Sequence, residues 1–196
     1  MVTLINEKNL IERTIAFYFW LQSNRKRFCN SVQMDPFSWL IITKTSPQFK
    51  LDAFLQSYSL LRYSDLHQIE LQPLLTGDTQ MIMQSKTKKI IELRPLLCLD
   101  RTESITASRY VHPFYFGRDA YENALRKAIP DWIRNCLQSN NSVTHVFRYL
   151  RASFLFLSTD SIKFASKLLG HSSDEATLNY IPSTLVGELN NYLHRS

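Results

Sequence analysis

The sequence predicts a mainly helical single domain carrying one small antiparallel β-hairpin. Three observations predict it. Apolar residues recur at helical spacing in separate windows, from Leu10 to Leu21, Phe49 to Leu61 and Tyr121 to Ile133. Two short β-compatible runs, Gln80 to Ser85 and Lys89 to Leu93, flank the polar Lys86-Thr87-Lys88. Helix start and stop residues recur through the last third of the chain. With 196 residues and 44% hydrophobic content, the chain can bury one good core, so a single domain is expected over 1–196.

Taken in order, Ile5 to Arg27 reads as an amphipathic helix ending in Arg25-Lys26-Arg27, a run that fits either phosphate contact or a positively charged helix C-terminus. Asp35-Pro36 breaks the pattern, and the apolar run Trp39 to Thr43 fits helix or strand. Residues 1–45 therefore read as a helical N-terminal extension to a core over 46–182. From Pro47 a helix is expected with Phe49, Leu51, Phe54, Leu55, Tyr58 and Leu61 on its buried face, leading to Arg62. After the hairpin, Arg94 to Gly117 is poorly patterned and reads as including a surface loop. Asp119 to Leu137 has helical spacing that Pro130 should kink or split. Its Arg118, Arg126, Lys127 and Arg134 fit phosphate contact and a solvated face equally.

Beyond the polar Ser139 to Ser142, a helix capped by Ser142 or Thr144 places His145 and Arg148 three apart on one face. A second helix should start at Asp160 or Ser161 and stop at Gly170, which leaves His171 at a turn. Ser172 and Glu175 form a capping box for a short helix that carries Tyr180 and is closed by Pro182. A final helix over 183–196 presents Leu185, Val186, Leu189, Tyr192 and Leu193 as an apolar stripe. A helix that short is marginal alone and must dock on something.

Composition narrows the function classes. Lys plus Arg exceed Asp plus Glu by 23 to 17, a formal charge of +6 that suits an anionic partner. Cys29, Cys98 and Cys136 are few, far apart and in no C-x-x-C pair, which argues against a disulfide framework or a zinc site and for a reducing compartment. No apolar run approaches the roughly 18 residues of a membrane span, and the N-terminus lacks the features of a signal peptide, so an intracellular chain is expected.

The ordered set His145-x-x-Arg148, Leu169-Gly170-His171 and Tyr180, nine residues after His171, resembles the C-terminal signature of the tyrosine recombinases, the phage-integrase family. Arg62-Tyr63-Ser64-Asp65-Leu66 is similar to that family's first arginine box, with Leu60 where the family has glycine and Asp65 where it has glutamate. Lys86, 24 residues after Arg62, fits the family's hairpin lysine, with Lys88 and Lys89 as alternatives. After Arg148 the chain reads Tyr149-Leu150-Arg151-Ala152-Ser153 where the family commonly has His-Thr-Phe-Ala-Thr.

The resemblance covers about Pro47 to Tyr180 and implies the fold of a DNA breaking-rejoining enzyme and site-specific cleavage and rejoining of double-stranded DNA. It implies that Arg62 and Arg148 hold the non-bridging phosphate oxygens and that His171 adds a hydrogen bond. Tyr180 would be the nucleophile, His145 the acceptor of its proton, and Lys86 the acid for the departing 5′-oxygen. Neither metal nor cofactor is required. It further implies a homo-oligomer, a tetramer on paired DNA sites, in which the segment 183–196 is exchanged with a neighbour. It implies a location in the cytoplasm with the nucleoid, or wherever the target DNA of a mobile element resides. A catalytically inactive DNA-binding protein of the same fold, and an unrelated basic helical interaction protein, are the other classes the sequence allows.

Overall fold

The computed structural model describes residues 34–95, 117–137 and 143–195. The helix expected up to Arg27 with its basic run, most of the 94–117 loop and the polar run Ser139 to Ser142 lie outside these residues. Among the described residues the protein is mainly helical with one two-stranded antiparallel sheet.

Asp35 starts helix α1 (Pro36–Lys44) by accepting the Ser38 N–H at 2.7 Å and the Ser38 hydroxyl at 2.6 Å, with Pro36 supplying a preset φ. The run Trp39 to Thr43 is thus helical. Phe37, Trp39, Ile41 and Ile42 are all buried, and a helix apolar around so much of its circumference must sit inside the fold. A 3₁₀ turn over Pro47–Phe49 leads into α2 (Lys50–Ser59). This helix ends at Leu60, held at φ 54° in the left-handed region that a leucine rarely adopts. Short helices α3 (Tyr63–Leu66) and α4 (Leu71–Thr76) follow, the latter stopped by Gly77 at φ 99°.

Strands β1 (Gln80–Met83) and β2 (Ile90–Leu93) pair antiparallel with Gln80 opposite Leu93 and Met83 opposite Ile90. Ile82 and Leu93 face the core while Met81, Met83 and Ile90 are exposed. Pro130 divides the next helical region into α5 (Arg118–Ala128) and α6 (Asp131–Cys136), because it can donate no N–H to continue the first helix.

Helix α7 (Val146–Thr159) is the centre of the molecule and packs against α1, α2 and both later helices α8 (Ile162–Leu169) and α10 (Ser183–Arg195). Residues 36–44 therefore belong to the core on which the site is built. Ser161 caps α8 by accepting the Phe164 N–H, and Gly170 ends it at φ 67°. Helix α9 (Asp174–Leu178) is capped by Ser173, one residue after the expected Ser172, and ends before Tyr180. Tyr180 sits in the following turn, its N–H bonded to the Thr177 carbonyl at 2.8 Å.

Part of the stripe of α10 packs on the same chain. Leu185 and Leu189 are fully buried against α6 and α7, and Tyr192 stacks on Trp132 at 5.9 Å. Tyr192 and Leu193, at the far end of the stripe, remain 52% and 40% exposed. None of the helices among the described residues is long and apolar enough to cross a membrane.

Candidate active site

Arg148 is the fixed point. Its side chain is 1% exposed, on the core-facing side of α7. Its Nη1 donates to the Leu60 carbonyl, and its Nη2 donates to the Leu169 carbonyl at 3.1 Å and faces His171 Nε2 at 2.9 Å. Two helix ends far apart in sequence are gathered on one guanidinium, whose planar fork of donors suits it to this task. The left-handed Leu60 thereby turns its carbonyl to Arg148, and Gly170 lets the chain turn sharply so that His171 lies beside the same group.

Because an arginine can only donate, His171 Nε2 must accept from it, which leaves the proton on Nδ1 facing the Thr177 hydroxyl at 2.9 Å. Burial pushes the His171 pKa down to about 4, helped by the positive charges of Arg148, Arg62 and Lys89. His145 closes the 3₁₀ turn Val143–His145 that leads into α7. No side chain caps α7 there; Thr144 is buried and its carbonyl accepts from Gln56 Nε2 at 2.9 Å. Burial lowers the His145 pKa to about 4, with Arg148, Arg62, Arg118 and Lys86 acting in the same direction. Both imidazoles are therefore neutral near pH 7, and a neutral imidazole can accept a proton.

Tyr180 completes the group. Its ring lies 4.9 Å from Tyr149, 5.0 Å from His171 and 6.0 Å from His145, with the Arg148 guanidinium 5.2 Å from its centre. Burial lowers the Arg148 pKa, and the charge and hydrogen bonding of Tyr180 act against that fall. Arg62 immediately precedes α3, its charge acts on both imidazoles, and its Nη1 is buried without a partner among the described residues.

The hairpin reaches the site through a carboxylate. Asp65 is fully buried, and its Oδ1 accepts the Ser85 N–H at 2.9 Å and the Ser85 hydroxyl at 2.5 Å. On the other side the hairpin leans on the Gly170 turn, where an added Cβ would lie 3.3 Å from Ile91 and 3.6 Å from the Gln84 amide nitrogen. The tip that carries Lys86, Lys88 and Lys89 is exposed, with Lys88 at φ 56°. Lys86 acts on His145 and Lys89 on His171.

Of the six sequence-selected residues, His145, Arg148, His171 and Tyr180 meet in one cluster, while Arg62 and Lys86 act on its imidazoles through their charge. Of the four helix cations, Arg118 borders this region, over the Tyr63 ring at 6.0 Å and bonded to Glu122 at 2.7 Å. Arg134 instead bonds the Arg126 and Ile129 carbonyls and closes the α5–α6 junction, while Arg126 and Lys127 are exposed. Sequence reasoning missed the tie from Asp65 to Ser85, the Thr177 contact and the Tyr149 ring. Asp65, inside the arginine box, was the one readable signal among them. Among the described residues no group of three or more His, Cys, Asp or Glu side chains is placed to hold a metal ion. No family model, curated protein or solved structure matches the chain.

Proposed function

We propose that the chain is a site-specific DNA strand transferase of the tyrosine recombinase class, with the catalytic-domain fold of that family. The observation that carries the reading is the convergence on Tyr180 of Arg148, His171 and His145, with Arg62 and the hairpin lysines beside them. The left-handed backbone at Leu60, where the family has glycine, adds to it.

The barrier in attacking a phosphodiester is bringing a nucleophilic oxygen to an anionic centre and building further charge there. Permanently charged guanidinium groups held in place beforehand meet both demands. Arg148 is held by two backbone carbonyls, and Arg62 has a buried N–H to give. Tyr180 Oη attacks phosphorus while its proton passes to the neutral His145 imidazole. The bond from phosphorus to the 5′-oxygen breaks, and Lys86 protonates that oxygen. The product is a 3′-phosphotyrosyl link that conserves the bond energy, so a 5′-hydroxyl from another strand reverses the step. Paired sites and a tetramer on DNA would turn this into recombination.

Incubation with a nicked suicide DNA duplex tests the reading directly. A covalent protein–DNA adduct on a denaturing gel, absent in Tyr180→Phe while DNA affinity stays within a few-fold, is the expected result. Salt-sensitive binding without adduct would instead mark a DNA-binding protein of this fold. An adduct that survives in Tyr180→Phe would move the nucleophile elsewhere.

A further inference from the structure

Tyr180 is not fixed by a helix. Helix α9 ends at Leu178, and the turn that follows is held by the Tyr180 and Ile181 N–H groups, bonded at 2.8 and 3.0 Å to carbonyls of α9 itself. Among the described residues, a 3.4 Å hydrogen bond from Ser153 Oγ to the Tyr180 carbonyl ties the backbone of that turn to α7. None of these bonds sets the side-chain torsions, and a tyrosine has three staggered χ1 wells from which to choose.

The hydrogen bond with Arg148 holds the hydroxyl end, and the ring contacts fix the ring itself. Among the described residues the closest ring to Tyr180 is Tyr149, at 4.9 Å and inclined by 40°. Tyr149 is 5% exposed and lies in the main core on α7, directly after Arg148. One rigid helix therefore carries both the guanidinium on one flank of Tyr180 and the aromatic wall on another. His171 and His145 also contact the ring, but each sits on a turn and each has proton chemistry of its own.

We propose that Tyr149 is the positioning residue for Tyr180, holding its ring in cis so that the hydroxyl is aimed within its own chain's site. The proposal rests on the reading of Tyr180 as nucleophile. It assigns Tyr149 no contact with the reacting atoms.

Two variants and one DNA-free measurement test it. Tyr149→Phe keeps the ring and should keep the single-turnover rate of adduct formation within about twofold of wild type. Tyr149→Leu keeps a smaller apolar side chain without an aromatic face. At saturating DNA its adduct rate should fall on the order of 100-fold, the loss expected when a reacting group is misplaced by about 1 Å. Its DNA dissociation constant should stay near that of Tyr149→Phe, while the lost core volume lowers its thermal midpoint without unfolding it at the assay temperature. A fall in affinity that accounts for the whole loss, or an unchanged rate in Tyr149→Leu, overturns the proposal.

In the wild-type protein without DNA, proton NMR should show cross-relaxation between the Tyr149 and Tyr180 rings, and Tyr149→Leu should move the Tyr180 ring resonances toward random-coil positions. The absence of that cross-relaxation overturns the proposal even if Tyr149→Leu does not fold. If the wild type forms no adduct yet shows the ring contact, it is the strand-transfer reading that fails, while the placement of Tyr180 by Tyr149 stands.

Discussion

The floor of the site and the hairpin above it are built on opposite terms. Arg148, Tyr149 and the Leu60 and Leu169 carbonyls are buried groups with determinate partners, locked into α7 and the helix ends it touches. Lys86, Lys88 and Lys89 stand exposed on a tip whose place is set by the Asp65 tie to Ser85 and by contact with Gly170. The difference matches the proposed tasks. Groups that stabilise a developing charge act best when held beforehand, whereas a proton donor need only reach the departing oxygen.

Breaking the floor should have the largest effect. Arg148→Ala strips donors from two buried carbonyls, so a stability loss of roughly 2–5 kcal/mol is expected in urea denaturation, together with complete loss of adduct and weaker DNA binding. A stable variant that still forms adduct would remove Arg148 from the centre of the site.

Truncation after Pro182 attacks the same floor from behind. It deletes Leu185 and Leu189, both fully buried against α6 and α7. At about 1.5–3 kcal/mol per buried leucine, roughly 3–6 kcal/mol of stability should go, and the thermal midpoint should fall clearly. A truncated chain as stable as the full one would mean that the helix does not depend on this cis contact and is free to be exchanged with a neighbour.

Much of this architecture was legible because its causes are local. Gly170, Ser161 and Pro130 act within one turn of chain, and each stops, starts or divides a helix where the sequence places it. Trp39 to Thr43 was not legible from periodicity, because a helix buried on most sides has no polar face to set the period; the Asp35-Pro36 start was its only local mark. Leu60 could not be read as left-handed, since leucine disfavours that region and only the distant Arg148 shows why it is held there. The tie from Asp65 to Ser85 spans 20 residues and leaves no periodic trace. Tyr180 was expected on a helix and lies just past one, a shift that makes its side chain depend on neighbours such as Tyr149.

Perturbing the hairpin should leave the fold intact and change one chemical step. Lys86→Ala is expected to slow cleavage of a normal 5′-oxygen by about 100-fold or more, within the range for loss of a general acid, with little change in thermal midpoint. A DNA substrate with a 5′-sulfur leaving group needs little protonation and should react at nearly the wild-type rate. Equal slowing of both substrates would reject Lys86 as the acid and point to Lys89 or Lys88.

The smallest effect should be the most discriminating between floor and tip. His145 and His171 are half-buried in the floor with pKa values lowered to about 4, so the unfolded chain, with ordinary histidines near 6.5, binds more protons between those limits. Stability from this source is present above pH 6.5 and is lost as the pH falls toward 4, and His145→Gln or His171→Gln should each flatten that part of the stability curve. Burial is the main cause in both, and it belongs to the floor; the lysines add a lesser push from the tip. Removing a positive charge near an imidazole eases its protonation. Lys86→Ala should therefore raise the His145 pKa more than that of His171, and Lys89→Ala should do the reverse, as read by NMR titration of the two rings. If Lys88→Ala moves either histidine more than its assigned lysine does, the tip is turned differently over the floor, and the choice of acid must be made again from that orientation.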